Sequence, residues 1–598
     1  MTIERCFRKH IMPIGLVLLI GIIAYSNSLN APFQFDDSNI SDKAKLLSRA
    51  HLATARQVVD FSFLLNHYIH GKDVFGFHLF NLFIHLCTAV TTYYLSFNAI
   101  RALVGSNHED SEESLFVTRF IPFATALLFV CHPIQTESVT YIVQRYTSLA
   151  TLFYLLSTLM FIRARICHNN DANSYKTWLY GSISLLSGML AMRSKEIAFT
   201  LPFMLAVVEM FLFQGKLLRN RIFLSALIAL LLIIPAQQIL RHGFTGINDL
   251  FYSISRGTRE ELTYSRTDYL ITEFRVVVTY LRLMFFPVNQ NLDYDYPLQK
   301  IFFTPAVILS LMLHISIVLS SIFMFFKSRS MFKSRKLYIG TCLRLCSLGI
   351  VWFYLALSVE SSFIPILDVI FEHRLYLPSV GFFLSVTSGA VLVLYGGRTS
   401  RKAAWLALAL ICLIFTTATI RRNVVWGDEL RLWEDTARKS PNKIRVLNNL
   451  GAFSISKFRP EKAILPLLRV LEIQPGYTES INNIGLLLDH VPQVAGRYNS
   501  GKKYMTPNRI LDVRQIDPWF ANSRNNLGLA YMLTGNPQKA LAYFEQSVSL
   551  EQKEEAPWLN LALLSMQLGN TKRATEAFDR LKKLNPGRAK LIEPHIFK

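Results

Sequence analysis

Charge is scarce in this chain: Asp, Glu, Lys and Arg together make up 17% of 598 residues, against 51% apolar and 13% aromatic. With a mean hydropathy of +0.29, the composition excludes an ordinary soluble protein of this size, and a bilayer is the simplest place for so much apolar surface. Cysteine is sparse too. All seven (6, 87, 131, 167, 342, 346 and 412) lie in the first 412 residues, most of them in or beside apolar runs, which leaves no visible disulfide framework or Cys-based zinc site. No small-residue cleavage site follows the first apolar run, Ile11 to Ala24, although Arg5, Arg8 and Lys9 precede it. It reads as a retained first span, not a cleaved signal. Acidic residues are outnumbered 41 to 63 by Lys and Arg, a formal charge of +22. The cations cluster in short loops beside apolar runs, where they set membrane orientation and do not point to nucleic acid.

What is present is a series of apolar runs near 11–25, 76–100, 119–131, 147–163, 177–191, 197–213, 222–240, 303–326, 339–358, 377–396 and 403–421, about eleven spans. The run 271–286 is interrupted by Glu273, Arg275 and Arg282 at helical spacing. If it does not cross, the basic loops 163–176, 214–221, 327–338 and 397–402 all fall on the cytoplasmic side, so it is read as a re-entrant or surface helix inside a large outer loop, 241–302. The outer face then collects the stretch after Tyr25, the segments His132 to Arg145, Arg193 to Glu196 and Glu360 to Arg374, and the tail.

The tail carries a period of 34: Gly451 to Gly485, Pro441 to Pro475, and Gly528 to Ala562. That period belongs to helix-pair tetratricopeptide (TPR) repeats. The longer interval from Gly485 to Gly528 places an extra loop near Val491 to Pro507, and Trp426 to Ser440 supplies a joining half-repeat. The expected architecture is all-α: a polytopic membrane bundle over 1–425 followed by a TPR α-solenoid over 426–598.

Phe35-Asp36-Asp37 follows the first span. Adjacent carboxylates at a membrane surface suit a general base that takes a proton from an acceptor hydroxyl, or Asp37 or Ser38 caps a short helix. His78, Asn81 and His85 share a helix face, for which packing is the better reading without a third strong ligand. Asp293-Tyr294-Asp295 has the acid-x-acid pattern of metal-dependent sugar transferases but sits among turn-forming residues.

The ordered set Tyr-Ser-Asn-Ser-Leu with Phe-Asp-Asp (25–37), His78 with Asn81 and His85, His132-Pro133 with Glu137, Lys195-Glu196 and Arg374-Leu-Tyr-Leu-Pro-Ser (374–379) resembles the transmembrane-and-TPR O-mannosyltransferases and their bacterial relatives in the GT-C superfamily, over nearly the whole chain. The resemblance implies a polyprenyl-phosphate sugar donor, transfer on the non-cytoplasmic face, and Asp37 or Asp36 as the catalytic acid. It also implies no metal or other cofactor, since the lipid-linked sugar is a substrate. The membrane would be a bacterial inner membrane with the repeats in the periplasm, or that of the endoplasmic reticulum with the repeats in its lumen.

A lipid phosphate needs a cation at the surface. Arg374 leads, with His373 and Arg266 as further donors and Arg241, Arg256 and Arg259 as a secondary pool. His132, Glu137, Arg145, Lys195, Glu196 and Glu372 are expected to line the same cavity. Asn449, Asn483, Asn526 and Asn560 recur at one repeat position. Each amide can donate to and accept from a peptide unit, so a row of them could hold an extended polypeptide acceptor, similar to the arrangement in O-GlcNAc transferase. The rival to this inverting hexosyl transfer to a Ser or Thr hydroxyl is a non-catalytic membrane-anchored scaffold. A transporter would place charges at mid-membrane, which most of these runs lack.

Overall fold

The computed structural model of the chain describes residues 3–40, 56–105, 112–170, 175–242, 264–362, 365–394, 398–457, 459–474, 477–490, 521–533 and 535–596. The extra loop expected near Val491 to Pro507, together with Arg256 and Arg259, lies outside them. Every regular element among the described residues is helical, and the chain divides into two compact units, one of 1–292 and 296–428, the other of 293–295 and 429–598.

Over their described residues, all eleven apolar runs fall mainly on helices. Among the described residues, eight helices are long and apolar enough to cross a bilayer: His10–Ser28, Val74–Val104, Ile142–Asn170, Glu196–Phe213, Pro305–Lys333, Leu337–Leu357, Glu372–Val393 and Thr399–Trp426. A ninth forms if Leu115–Cys131 is counted with Pro133–Val139, to which it is bent by 51°. The break falls at His132-Pro133, where proline cannot donate to the preceding turn. Of the other two expected spans, Tyr175–Met192 is diluted by polar residues, and the apolar part of Arg221–His242 is short. Arg266–Phe285 is capped by Ser265, whose Oγ accepts from Asp268 N at 3.1 Å, and is not among the spans. It buries Tyr269, Thr272, Glu273, Val276 and Tyr280, a stripe at three- and four-residue spacing.

Within the bundle, Leu337–Leu357 meets Tyr376–Val393 backbone to backbone. A Cβ on Gly349 would sit 2.4 Å from Gly381 O, and one on Gly381 2.6 Å from Gly349 O. This small-residue packing, common between membrane helices, anchors the segment that begins at Glu372. In the repeat unit a similar constraint explains the recurrent glycines. A Cβ at Gly451 would meet Leu467 at 2.4 Å, and one at Gly528 would meet Phe544 at 2.4 Å, so the two helices of a repeat touch there. Leu467, Ile484, Phe544, Ala562, Ala574 and Phe578 form the continuous core, as expected when stacked repeats share one apolar layer.

Candidate active site

The two adjacent acids are placed in opposite environments by one turn. Phe35–Asn39 is a single 3-10 turn with Gln34 and Asp37 forming a capping box. Asp37 Oδ2 accepts from Gln34 N at 2.9 Å and Oδ1 accepts from Val143 N at 2.7 Å. The Asp37 side chain is wholly buried, and burial outweighs the two N–H donors and pushes its pKa up to about 8. Asp36 is exposed, and its backbone N–H donates to Tyr141 Oη at 3.0 Å. Phe35 has φ +42°, a left-handed conformation that an aromatic side chain adopts at a cost of about 1–3 kcal/mol. Gln34 Nε2 donates to Trp426 O at 2.9 Å, and Asn423 Nδ2 donates to Ala24 O at 2.9 Å, so the last span of the bundle holds the first loop.

A second buried layer is built from three distant segments. Glu137 Oε2 accepts from His373 N at 3.0 Å, and its Oε1 lies 2.8 Å from His373 Nδ1. Glu372 accepts from Asn291 N at 2.6 Å and from Gln290 Nε2 at 2.7 Å. His132 bonds Met284 O through Nε2 at 3.1 Å and accepts from Ile134 N through Nδ1 at 3.1 Å, which places its proton on Nε2. The 132–137, 284–291 and 372–373 segments therefore lock one another.

Arg374 differs from its expected role. Its guanidinium donates to Val369 O (3.0 Å), Asp368 O (2.6 Å) and Glu360 O (3.4 Å) and lies over the Phe371 ring. Only 4% of the residue is exposed, so in this state it braces the 360–371 loop instead of presenting a fork to solvent. Arg145 is likewise internal. It donates to Asn81 Oδ1 (2.7 Å), Ser62 O and Phe77 O and stacks 4.2 Å from the Phe63 ring centroid, contacts that fix the fold. The histidine stripe is structural: His78 reaches Ala31 O and His85 reaches Tyr376 Oη and Val130 O.

Lys195 and Glu196 do not pair with each other. Lys195 Nζ lies 3.0 Å from Glu360 Oε1 and donates to Thr147 Oγ1 at 2.9 Å. Glu196 takes a two-pronged bond from Arg56, at 3.2 and 2.9 Å. Arg56, with 45% of its side chain exposed, went unforeseen because it is a lone cation 140 positions from its partner. Arg266 is exposed at the start of its helix. Glu273 was also passed over. It is buried, and neither carboxylate oxygen makes a hydrogen bond among the described residues, the neighbouring Tyr269 hydroxyl proton going to Glu360 O at 2.7 Å. Burial outweighs the opposing charge of Arg374 and pushes Glu273 up to about 7.

In the repeat unit, Asp293 is held by Arg445 at 2.7 Å and Lys443 at 3.6 Å, so the acid-x-acid motif is an ion-pair anchor. The asparagines do not form a uniform open row. Asn483 Nδ2 donates to Asn448 Oδ1 (3.0 Å) and Asn560 Nδ2 to Asn525 Oδ1 (2.7 Å), each joining one repeat to its predecessor. Asn449 and Asn526 are half-buried.

Fold and site together describe a multi-pass membrane protein with a recessed polar layer and a helical-repeat tail. Residues 513–591 match the family Tetratricopeptide repeat. The human Protein O-mannosyl-transferase TMTC3 is 22% identical over 96% of this chain and 68% of its own length. The Drosophila melanogaster Protein O-mannosyl-transferase Tmtc3 is 24% identical over 82% of this chain and 58% of its own. The human Protein O-mannosyl-transferase TMTC2 is 32% identical over a shorter stretch, 33% of this chain and 23% of its own. The resemblance drawn from the motifs is borne out over most of the chain, which spans between about half and two thirds of the length of the TMTC1 and TMTC3 relatives.

Proposed function

We propose that this protein transfers a mannose from a polyprenyl-phosphate carrier to a Ser or Thr hydroxyl of a polypeptide, on the non-cytoplasmic face of the membrane. The single observation that carries the assignment of the base is the contrast within the 35–39 turn: Asp37 is buried and accepts from two backbone N–H groups, while Asp36 beside it is exposed to an incoming acceptor. In this reading the acceptor hydroxyl gives its proton to Asp36 as its oxygen attacks the anomeric carbon. The bond from that carbon to the phosphate oxygen breaks, the lipid phosphate leaves with the electron pair, and the anomeric centre inverts without a covalent sugar-enzyme intermediate.

The phosphate contact falls best to cations with exposed surface, Arg56 and Arg266, with Lys195 behind Arg56. Arg374 supports this layer by holding the 360–371 loop. No step in this scheme needs a metal, and the lipid-linked sugar is a substrate. The repeat unit, whose half-buried Asn449 and Asn526 keep the arrangement suited to a peptide backbone, brings the acceptor. These names and lengths of relatives support mannose and protein as the substrates of transfer.

The test is transfer by purified protein from polyprenyl-phosphate mannose to Ser/Thr peptides. Asp36→Asn is expected to lower the rate by about 10²–10⁴-fold without moving the melting temperature. Asp37→Asn, which puts an amide N–H against a backbone donor, is expected to cost about 1–3 kcal/mol of stability. Undiminished transfer by Asp36→Asn removes the base assignment, and no transfer to any acceptor favours the scaffold.

A further inference from the structure

Away from this layer, four helix ends surround a cavity of about 1110 Å³. They are the start of His10–Ser28, the end of Val74–Val104, the start of Glu112–Cys131 and the start of Arg398–Trp426. Its size is at or beyond the upper limit for small-molecule sites, about 300–1,000 Å³. Leu16, Ile20, Leu127 and Leu413 contribute apolar walls. Leu16 and Leu413 are also exposed on the surface of the bundle, so the cavity opens sideways to where hydrocarbon chains lie.

One end is cationic. Arg101 and Arg119 line it, both are exposed, and neither forms an ion pair among the described residues. His10 and Tyr93 bond each other at 2.8 Å beside them, a fixed polar rim, and Trp405 stands at the same level, where an indole prefers the headgroup boundary. Arg5, Arg8 and Lys9 lie in the first turns of the first helix, Ile3–Tyr25, and Arg398, Arg401 and Lys402 in the first turns of Arg398–Trp426, which is the side that positive-inside counting assigns to the cytoplasm. The phosphate of the proposed donor belongs to the opposite face, so the cationic mouth of this cavity is not its seat.

We propose that this cavity is a resident-lipid site for an anionic two-chain phospholipid of the basic-side leaflet, with Arg101 and Arg119 meeting the phosphate and the acyl chains lying against Leu16, Ile20 and Leu127. Two exposed cations at the mouth of an apolar, laterally open cavity complement an anionic headgroup, which a neutral detergent-like molecule would not.

The full chain is reconstituted in nanodiscs of phosphatidylcholine with or without phosphatidylglycerol, then extracted, and the retained lipid is counted by mass spectrometry. Phosphatidylglycerol is expected to be retained in preference to phosphatidylcholine. In the double variant Arg101→Gln, Arg119→Gln that preference is expected to fall by about tenfold or more. Ala409→Trp, which narrows the cavity and keeps both cations, is expected to lose the bound lipid as well. On the wild-type chain alone, the preference must weaken as salt is raised, a reading that needs no variant to fold. Equal retention of the two phospholipids, a preference indifferent to salt, an undiminished preference in the folded double variant, or retention of added undecaprenyl phosphate in place of phosphatidylglycerol would each overturn the assignment.

Discussion

In the membrane unit Asp37, Glu137, Glu273, Glu372, Arg145 and Arg374 are each no more than 4% exposed, whereas in the repeat unit the ion pairs Lys462 with Glu434 and Arg469 with Glu472 have side chains 35% to 49% exposed. The first set is stripped of water and must find every partner inside the protein. The second keeps its hydration and adds little. Exposed pairs contribute about 0–1 kcal/mol, while a buried charge deprived of its partner costs about 3–5 kcal/mol. Buried charged groups in the membrane unit are therefore few and, Glu273 apart, held by hydrogen bonds inside the protein, and charged groups in the solenoid are many and individually dispensable. The difference shows where a substitution is read as chemistry or fold and where it is read as solubility.

The comparison breaks or sharpens at four places. Replacing Glu137 by Ala strips His373 of its carboxylate on both the backbone and the ring side, and is expected to cost about 2–5 kcal/mol, measured as denaturation of the purified protein in detergent. Arg374→Met leaves the carbonyls of residues 360, 368 and 369 without their shared donor, and is expected to destabilise by about 1–3 kcal/mol. If it instead abolished sugar transfer at unchanged stability, Arg374 would belong to the phosphate site after all.

Glu273→Gln tests the pH response. The Glu273 carboxyl is held near 7 in the folded protein against an ordinary value near 4.5, so its contribution is fully present below about pH 4.5 and is lost as pH rises through 7. The variant is expected to melt above wild type at pH 8 and at the same temperature as wild type at pH 4, and a parallel pair of melting curves would refute this. In the solenoid, Arg573→Ala removes surface pairs with Glu545 and Glu576 and is expected to change stability by less than about 1 kcal/mol. A larger loss would mean that the solenoid also depends on its charges.

Much of this was legible in the sequence. Spans announce themselves because burial in lipid demands long apolar runs, and the repeat tail is visible because Gly451 and Gly528 recur where two helices must touch. The pair Asp36 and Asp37 was found, yet the sequence could not separate them. Their difference is made by the N–H of Val143, 106 positions away, and no local pattern reports such a contact. Arg374 looked like a phosphate ligand because it is a cation immediately before an apolar span, but the carbonyls that enclose it come from a loop whose path no periodicity predicts. Glu273 was treated as an interruption of an apolar run when it is a buried member of a helix stripe. Asn483 and Asn560 recur for a reason that the spacing already contained: each sits 35 positions from an asparagine of the preceding repeat, in Asn448-Asn449 and Asn525-Asn526, and joins it across the stack.

The 51° break after Cys131 has a geometric consequence for the proposed reaction. The apolar part of this helix, Leu115 to Cys131, rises only about 25 Å at 1.5 Å per residue, short of the roughly 30 Å hydrocarbon thickness. The polar segment that follows is thus sunk below the lipid headgroups, and the bilayer has to thin or the protein has to enclose a funnel there. A carrier lipid would meet the protein at its natural depth, and the acceptor chain would have to descend to it as a single extended strand, which excludes folded domains and selects for loops and unfolded tails.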